Sequence, residues 1–332
     1  MEPEPWTNIH DKIIWCPNRV QDKKVITSPN PSLPRRGVGR SVYCSCNFFV
    51  LHPSNGLTTF RLEATGSHCV SSHPTRNHVF STMKLLILAA GYATRLYPLT
   101  LNQPKPLLPV AGKPMIDHVI KKFDRCPEID EIYVVTNNKF ARHFESWAGD
   151  TATNHGGRRI RIFNDRTTSD ADKLGAIGDI HFVIQQTNLD DNLIIVAGDN
   201  LFSGMLENYV RQAREKGILI GVYDVKNLEE IKKYNNITMD ASGKVTSFEE
   251  KPKEPRSTVT AIALYHYPRK TLSLIKQYIA EGNNPDQPGR LVQWLYTRQP
   301  VFTYLVKGEW MDIGSKETYE EANKLFAQTA KS

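Results

Sequence analysis

KLLILAAGYATRLYPLTLNQPKPLLPVAGKP, residues 84–114, divides into two unlike halves. Leu85 to Ala90 is apolar at every position and stops at Gly91. A short run of that kind has the pattern of a strand buried on both faces of a parallel sheet. The rest has neither helical nor strand period. Gly91, Pro98, Pro104, Pro106, Pro109, Gly112 and Pro114 punctuate it, and its charges are Arg95, Lys105 and Lys113. A loop this long in a compact domain is usually functional. Open α/β sheets bind ligands outside the carboxyl ends of their strands. A positive, acid-free loop at that place points to an anion, most simply a phosphate chain.

Two common phosphate loops do not fit. A Walker A loop needs Gly where Leu107 stands, and the dinucleotide fingerprint needs Gly where Ala93 stands. A third pattern does. The stretch resembles the nucleotide-binding signature of the sugar-1-phosphate nucleotidyltransferases, L-A-x-G-x-G-T-R-L-x-P-L-T followed by P-K-P-L-x-P-V and K-P. Leu88, Ala89, Gly91, Thr94, Arg95, Leu96, Pro98, Leu99 and Thr100 match the first part. Pro104, Lys105, Pro106, Leu107, Pro109, Val110, Lys113 and Pro114 match the second. Ala93 departs from the family's second glycine, which matters only if the loop needs φ > 0 there.

The chain has 332 residues and a formal charge of +7, enough for one large or two small domains and permissive of anionic substrates. No apolar run approaches the ~20 residues of a membrane span, and no aromatic-rich basic patch suggests nucleic acid. Residues 1–82 stand apart. They hold Cys16, Cys44, Cys46 and Cys69, turn formers such as Ser28-Pro29-Asn30-Pro31, and no lasting apolar period. Translated upstream sequence before a start at Met83 is the favoured reading. The alternatives are a disordered tail, a zinc module on Cys44, Cys46 and Cys69, or a basic arm around Arg35, Arg36 and Arg40. Only Cys126 lies beyond Met83, so the remainder has no disulfide framework and suits a reducing cytoplasm.

From Met83 apolar strands alternate with helical patterns, the order of βαβ units. The expected fold is α/β: a Rossmann-like, mixed but mostly parallel sheet flanked by helices, spanning residues 83–328. Helices are expected over residues 115–124, 139–147, 172–186, 205–216, 272–279 and 291–296. Strands are expected over residues 131–136, 158–163, 193–197, 218–225 and 301–306. Residues 236–239, 244–248 and 259–267 read as three strands of a small antiparallel insertion.

Three further motifs follow in order. Gly198-Asp199-Asn200 ends a buried strand, where a carboxylate can hold Mg²⁺ against a phosphate. Glu249-Glu250-Lys251-Pro252 follows a strand of G-K-V-x-x-F type, and Trp310-Met311-Asp312-Ile313-Gly314 resembles the family's W-x-D-x-G-T. Alone, the first could be a helix cap, the second a solvated charge cluster and the third a turn. Together the resemblance assigns roles. Residues 89–95 (Ala89, Ala90, Gly91, Tyr92, Ala93, Thr94 and Arg95) bind the nucleotide. Arg95 and Lys105 are catalytic cations, Glu250 and Lys251 hold the sugar phosphate, and Asp199 and Asp312 hold Mg²⁺. Asn235 and Ala263 replace family glycines on the sugar side.

The implied activity joins a nucleoside triphosphate, dTTP or UTP favoured, to a sugar 1-phosphate, glucose 1-phosphate favoured, in the cytoplasm. A homo-oligomer is compatible with this reading. Two rivals stay open: a cytidylyltransferase acting on phosphocholine or another phosphate acceptor, and a non-catalytic sensing subunit on the same fold. The second is expected to have lost a metal aspartate or a lysine, and this chain keeps them.

Overall fold

The computed structural model describes residues 45–52, 56–63, 82–151 and 155–329. The chain falls into two units, Met1–Asn77 and His78–Ser332. In the first, the strands Ser45–His52 and Gly56–Glu63 pair antiparallel, with Phe48 opposite Phe60. The alternatives raised for the cysteines and arginines of this unit concern side chains outside the described part.

The second unit is built on one seven-stranded sheet. Its strands are β1 (Met83–Leu88), β2 (Ile129–Thr136), β3 (Arg159–Asn164), β4 (Asn192–Ala197), β5 (Ile218–Asp224), β6 (Val259–Tyr267) and β7 (Val301–Leu305). They lie in the order β7-β5-β6-β4-β1-β2-β3. β1 runs parallel to β2 and β4, β2 parallel to β3, and β5 parallel to β7. Only β6 is antiparallel to its neighbours, β4 and β5.

The central strands bury both faces, as their unbroken apolar runs require. Leu85, Ile87, Val134 and Val196 point to one side, beneath the helices α1 (Met115–Lys121), α2 (Ala141–Thr151) and α4 (Glu207–Lys216) and the C-terminal α7 (Lys316–Thr329). Leu86, Tyr133, Val135 and Ile195 point to the other, beneath α3 (Ala176–Thr187), α5 (Leu272–Ala280) and α6 (Pro288–Leu295). Helices on both faces leave the strand ends as the free rim. That rim is where the signature loop sits.

Two expectations are corrected. Residues 259–267 are not part of the insertion. They form β6, wedged into the middle of the main sheet, and are almost wholly buried. A strand with that much apolar surface is stabilised far more between two partners than at an edge. The insertion is only the hairpin Asn235–Met239 with Val245–Glu250. The helix expected from Asp172 starts instead at Ala176. Asp172 folds back as a loop cap, accepting from the backbone N–H of Thr168 at 2.9 Å and of Ser169 at 2.7 Å. Gly175 then takes φ +79, and a Cβ there would lie 2.6 Å from the Cα of Asp286. That close approach lets the carbonyls of Asp286 and Pro285 accept from the first two amides of α3, at 3.1 and 2.8 Å.

Candidate active site

β1 and β4 end side by side, with Leu88 beside Ala197. The amide of Gly198 continues the pairing, donating to the Leu88 carbonyl at 2.9 Å. The second arm of the signature loop crosses directly over Gly198, where an added Cβ would meet Pro106 at 3.1 Å. That crossing puts Lys105, in the turn Lys105–Leu107, against the carboxylate of Asp199 in an ion pair. The Lys105 ammonium also donates to the Ile313 carbonyl at 2.8 Å.

Asp312 arrives from the far end of the chain. The short strand Trp310–Asp312 pairs antiparallel with Asn200–Phe202, placing Asp312 opposite Asn200. The Ile313 amide donates to the Asp199 carbonyl at 3.2 Å. Trp310 Nε1 donates to Asn200 Oδ1 at 2.8 Å, and Asn200 Nδ2 donates to Asp199 Oδ1 at 3.0 Å. Two motifs more than a hundred residues apart are thus fixed as one unit, with Lys105 as its cation.

The electrostatics of this unit are unbalanced. Burial pushes the Asp199 carboxyl up, but the adjacent Lys105 ammonium outweighs it and holds the group below its ordinary value. Asp312 has no such partner. Burial, then the Asp199 charge, push it up to about 6, against the pull of Lys105 and Arg95. Two carboxylates share one lysine, so the point attracts a further cation. Among the described residues no group of three or more Asp, Glu, His or Cys is arranged to hold a metal. Two carboxylate donors suit Mg²⁺, a hard ion that keeps waters and takes its other ligands from substrate phosphates.

Both aspartates line a cavity of about 410 Å³. Ala90, Gly91, Ala176 and Asp179 also line it, as do Tyr234, Asn235, Glu250, Ala263 and Tyr265 of the hairpin and β6 side. A larger cavity of about 780 Å³, lined by Lys113, His118, Lys121, Lys122 and Phe326, contains none of the candidate residues. The smaller cavity is the candidate site, because the carboxylates and the strand ends converge there.

The expected residues are only partly brought together. Of the seven in the loop, Ala90 and Gly91 line the cavity. Gly91 has no atom within 4 Å of an added Cβ, leaving its backbone open to a ligand. Ala89 and Tyr92 are buried beneath the loop, and Thr94 and Arg95 are exposed beyond it. Lys105 reaches the cavity through Asp199. Glu250 lines it and is half-buried. Burial raises its carboxyl, with Lys251 and Arg290 pulling it back. Lys251 is exposed, turns away at φ 49, and gives its amide to the Tyr234 carbonyl at 2.8 Å.

Ala93 has φ 49 and ψ 41, the left-handed region in which the methyl group does matter. Its carbonyl accepts from the Leu96 amide at 3.0 Å and from Thr100 Oγ1 at 2.8 Å, which hold it there. A non-glycine residue in this region costs roughly 1–2 kcal/mol. Ala93→Gly is therefore expected to stabilise the protein by about 0.5–1 kcal/mol after the added freedom of the unfolded chain is counted. A lowered urea midpoint would contradict this.

Sequence reading missed several residues of the cavity. Asp165 and Asp179 lie on its floor, and Asp179 could have been noticed as a lone acid inside the apolar run AIGDIHFVI. Asn235 was noticed as a departure but not for what it does. Its Oδ1 accepts from the Ala261 amide at 2.7 Å and its Nδ2 donates to the Ala261 carbonyl at 3.0 Å. That amide pair continues the ladder of β6 beyond the end of β4 and ties the hairpin to the sheet. No glycine could do this.

A mostly parallel α/β sheet with a basic loop and paired aspartates at its carboxyl rim defines a nucleotide-handling class of protein. The nucleotidyl transferase family profile matches residues 84–329, and the chain belongs to that family. It is 30% identical over 249 residues to the UTP–glucose-1-phosphate uridylyltransferase of Synechocystis, covering 72% of this chain and 62% of the relative. It is 29% identical over 259 residues to the glucose-1-phosphate thymidylyltransferase of Neisseria meningitidis, covering 74% and 83%. Over 244 residues it is 26% identical to the bifunctional protein GlmU of Methanocaldococcus jannaschii, covering 74% and 54%. The chain thus spans little more than half the length of several curated relatives. A Bacillus anthracis protein assigned as a glucose-1-phosphate thymidylyltransferase, solved with sucrose, superposes with a TM-score of 0.64 at 25% identity, covering 74% of this chain and 96% of that one. A UDP-glucose pyrophosphorylase bound to UDP-glucose shares the fold, with a TM-score of 0.63 at 20% identity and coverage of 75% and 99%. Among the described residues, no helix is long and apolar enough to cross a membrane.

Proposed function

We propose that residues 83–328 catalyse attack of a sugar 1-phosphate on the α-phosphorus of a nucleoside triphosphate, giving a nucleotide sugar and pyrophosphate. dTTP or UTP and glucose 1-phosphate are the first substrates to try, in keeping with the uridylyl- and thymidylyltransferase relatives. The observation that carries this reading is the Lys105–Asp199–Asp312 unit beside the open backbone of Gly91.

The chemistry needs little proton transfer. The attacking oxygen is already anionic near neutral pH, so the difficulty is to bring several oxyanions together and stabilise the departing pyrophosphate. Positioning and electrostatics supply most of the acceleration. Mg²⁺ held by Asp199 and Asp312 would neutralise phosphate charge. Lys105, fixed from both sides, offers a preorganised ammonium at the reacting phosphates. Arg95 is free to swing onto the β- and γ-phosphates, and its planar fork suits two oxygens at once. The half-buried Glu250 accepts hydrogen bonds from sugar hydroxyls, and Lys251 must turn inward to meet the sugar phosphate.

The test is a pyrophosphate-release screen of the purified protein, five nucleoside triphosphates against a panel of sugar 1-phosphates and phosphocholine. Release with one nucleotide and one sugar 1-phosphate supports the reading. Release with CTP and phosphocholine would move the assignment to that acceptor. Tight nucleotide binding with no release from any pair would point to a sensing role.

A further inference from the structure

We infer that Asp179 is a positioning residue for the triphosphate: with Asp165 it forms a carboxyl pair joined by one shared proton, and that pair sets the loop carrying Ala90, Gly91 and Tyr92. The inference rests on the proposed reading for its substrate, but the loop itself can be observed without any substrate.

Asp179 is 6% exposed and Asp165 7% exposed, yet both reach the floor of the cavity. Asp179 Oδ1 is buried without a conventional hydrogen-bond partner. The Asp165 side chain is a hydrogen-bonding neighbour of the Asp179 carboxyl, and two carboxyls that close are stable only if one carries a proton. Asp165 Oδ1 is committed elsewhere. It accepts from the Thr167 amide at 2.7 Å and from Thr167 Oγ1 at 2.8 Å. Thr167 Oγ1 in turn lies 3.3 Å from the Tyr92 hydroxyl, beneath the signature loop. A second route runs through the neighbouring turn. The Thr167 carbonyl accepts from the Asn138 amide at 2.9 Å, and Asn137 Nδ2 donates to the Ala90 carbonyl at 2.8 Å. Helix α3 is therefore wired through Asp179 and Asp165 to Tyr92 and Ala90, which flank Gly91 at the cavity.

The charges around the pair do not relieve it. Asp170 and Asp172 stand on the same connecting loop as Asp165 and add negative potential at Tyr92. Lys173 is taken by Asp170 at 3.4 Å and by Asp286 at 3.3 Å. Among the described residues no cation forms an ion pair with Asp165 or Asp179. Burial, then the Asp165 charge, raise the Asp179 carboxyl to about 8. Because the folded value lies above the ordinary one, the protonated pair favours the folded loop at lower pH. That contribution declines as pH rises and is gone once pH passes about 8. The loop is then held by two like charges instead of a hydrogen bond.

The experiment compares the parent with Asp179→Asn, whose amide N–H replaces the shared proton at all pH values, and with Tyr92→Phe, which cuts the link. Hydrogen-exchange protection of residues 89–101 is measured at pH 7 and pH 9 without substrate, alongside KM for both substrates. In the parent, loop protection should fall and the triphosphate KM should rise between pH 7 and pH 9 by up to about tenfold in all, levelling off above the transition, with the sugar-phosphate KM little changed. Asp179→Asn should match the parent at pH 7 and stay flat to pH 9. Tyr92→Phe should show the loosened loop at both. If Asp179→Asn follows the parent at pH 9, or both KM values move together, the inference is overturned. If loop protection behaves as expected but no substrate pair turns over, the inference about the loop stands and the proposed function fails.

Discussion

On the proposed Mg²⁺ site, Asp199→Asn and Asp312→Asn are each expected to lower turnover by about three orders of magnitude while the fold is kept, because losing a carboxylate that would hold the metal removes several kcal/mol of transition-state stabilisation. Asparagine preserves the shape of either side chain. In Asp199→Asn the amide can still meet Asn200, and Lys105 keeps the Ile313 carbonyl as a partner at 2.8 Å. The pairing of Asp312 with Asn200 runs through strands and does not depend on its carboxylate. Steady-state rates at saturating Mg²⁺, with circular dichroism as the fold control, are the check. A rate within threefold of the parent would remove that residue from the proposed metal site.

Lys105→Met is expected to be both inactive and unstable, and its instability should depend on pH in the opposite sense to the parent. The lysine and aspartate side chains are 14% and 24% exposed, so the pair is mostly but not fully withdrawn from water. Removing one partner of a fully buried pair costs about 3–5 kcal/mol, and the residual exposure of Asp199 argues for roughly 2–3 kcal/mol here. In the parent, Asp199 is held below its ordinary value and contributes stability above that value, lost as pH falls through the folded one. Without Lys105, burial is the largest remaining effect and raises the group. The variant should then lose stability as pH rises. The gap between the two proteins should be wide at pH 8 and narrow toward pH 5. Urea unfolding at three pH values measures it. A gap that is constant with pH would mean that Lys105 acts by packing and not by charge.

The parts of the site that the sequence made legible are those encoded by adjacent residues. The apolar run before Gly91 is a buried strand because nothing polar interrupts it. Asp199 and Asp312 stand out as candidates because each ends or follows a strand within its own motif. Lys105 stands out as a candidate cation, but its pairing with Asp199 does not, since the ion pair depends on Pro106 crossing Gly198. Alternation of strand and helix gave the layers correctly. It could not tell that residues 259–267 enter the main sheet antiparallel, because a buried strand reads alike in either direction. Asp165 and Asp179 lie fourteen positions apart in sequence and meet only when α3 packs beside the end of β3. Asn235 looked like a lost glycine, and its bond to the Ala261 backbone became visible only once β6 stood beside the hairpin.

The most direct test of the account follows the oxygen atoms. Glucose 1-phosphate carrying ¹⁸O at its three non-bridging phosphoryl oxygens is incubated with the preferred nucleoside triphosphate, Mg²⁺ and the protein, and the products are read by mass spectrometry and ³¹P NMR. Attack by the sugar phosphate on the α-phosphorus predicts a nucleotide sugar holding all the label and pyrophosphate holding none. Labelled pyrophosphate, release of orthophosphate or nucleoside monophosphate, or no product despite bound nucleotide would contradict it.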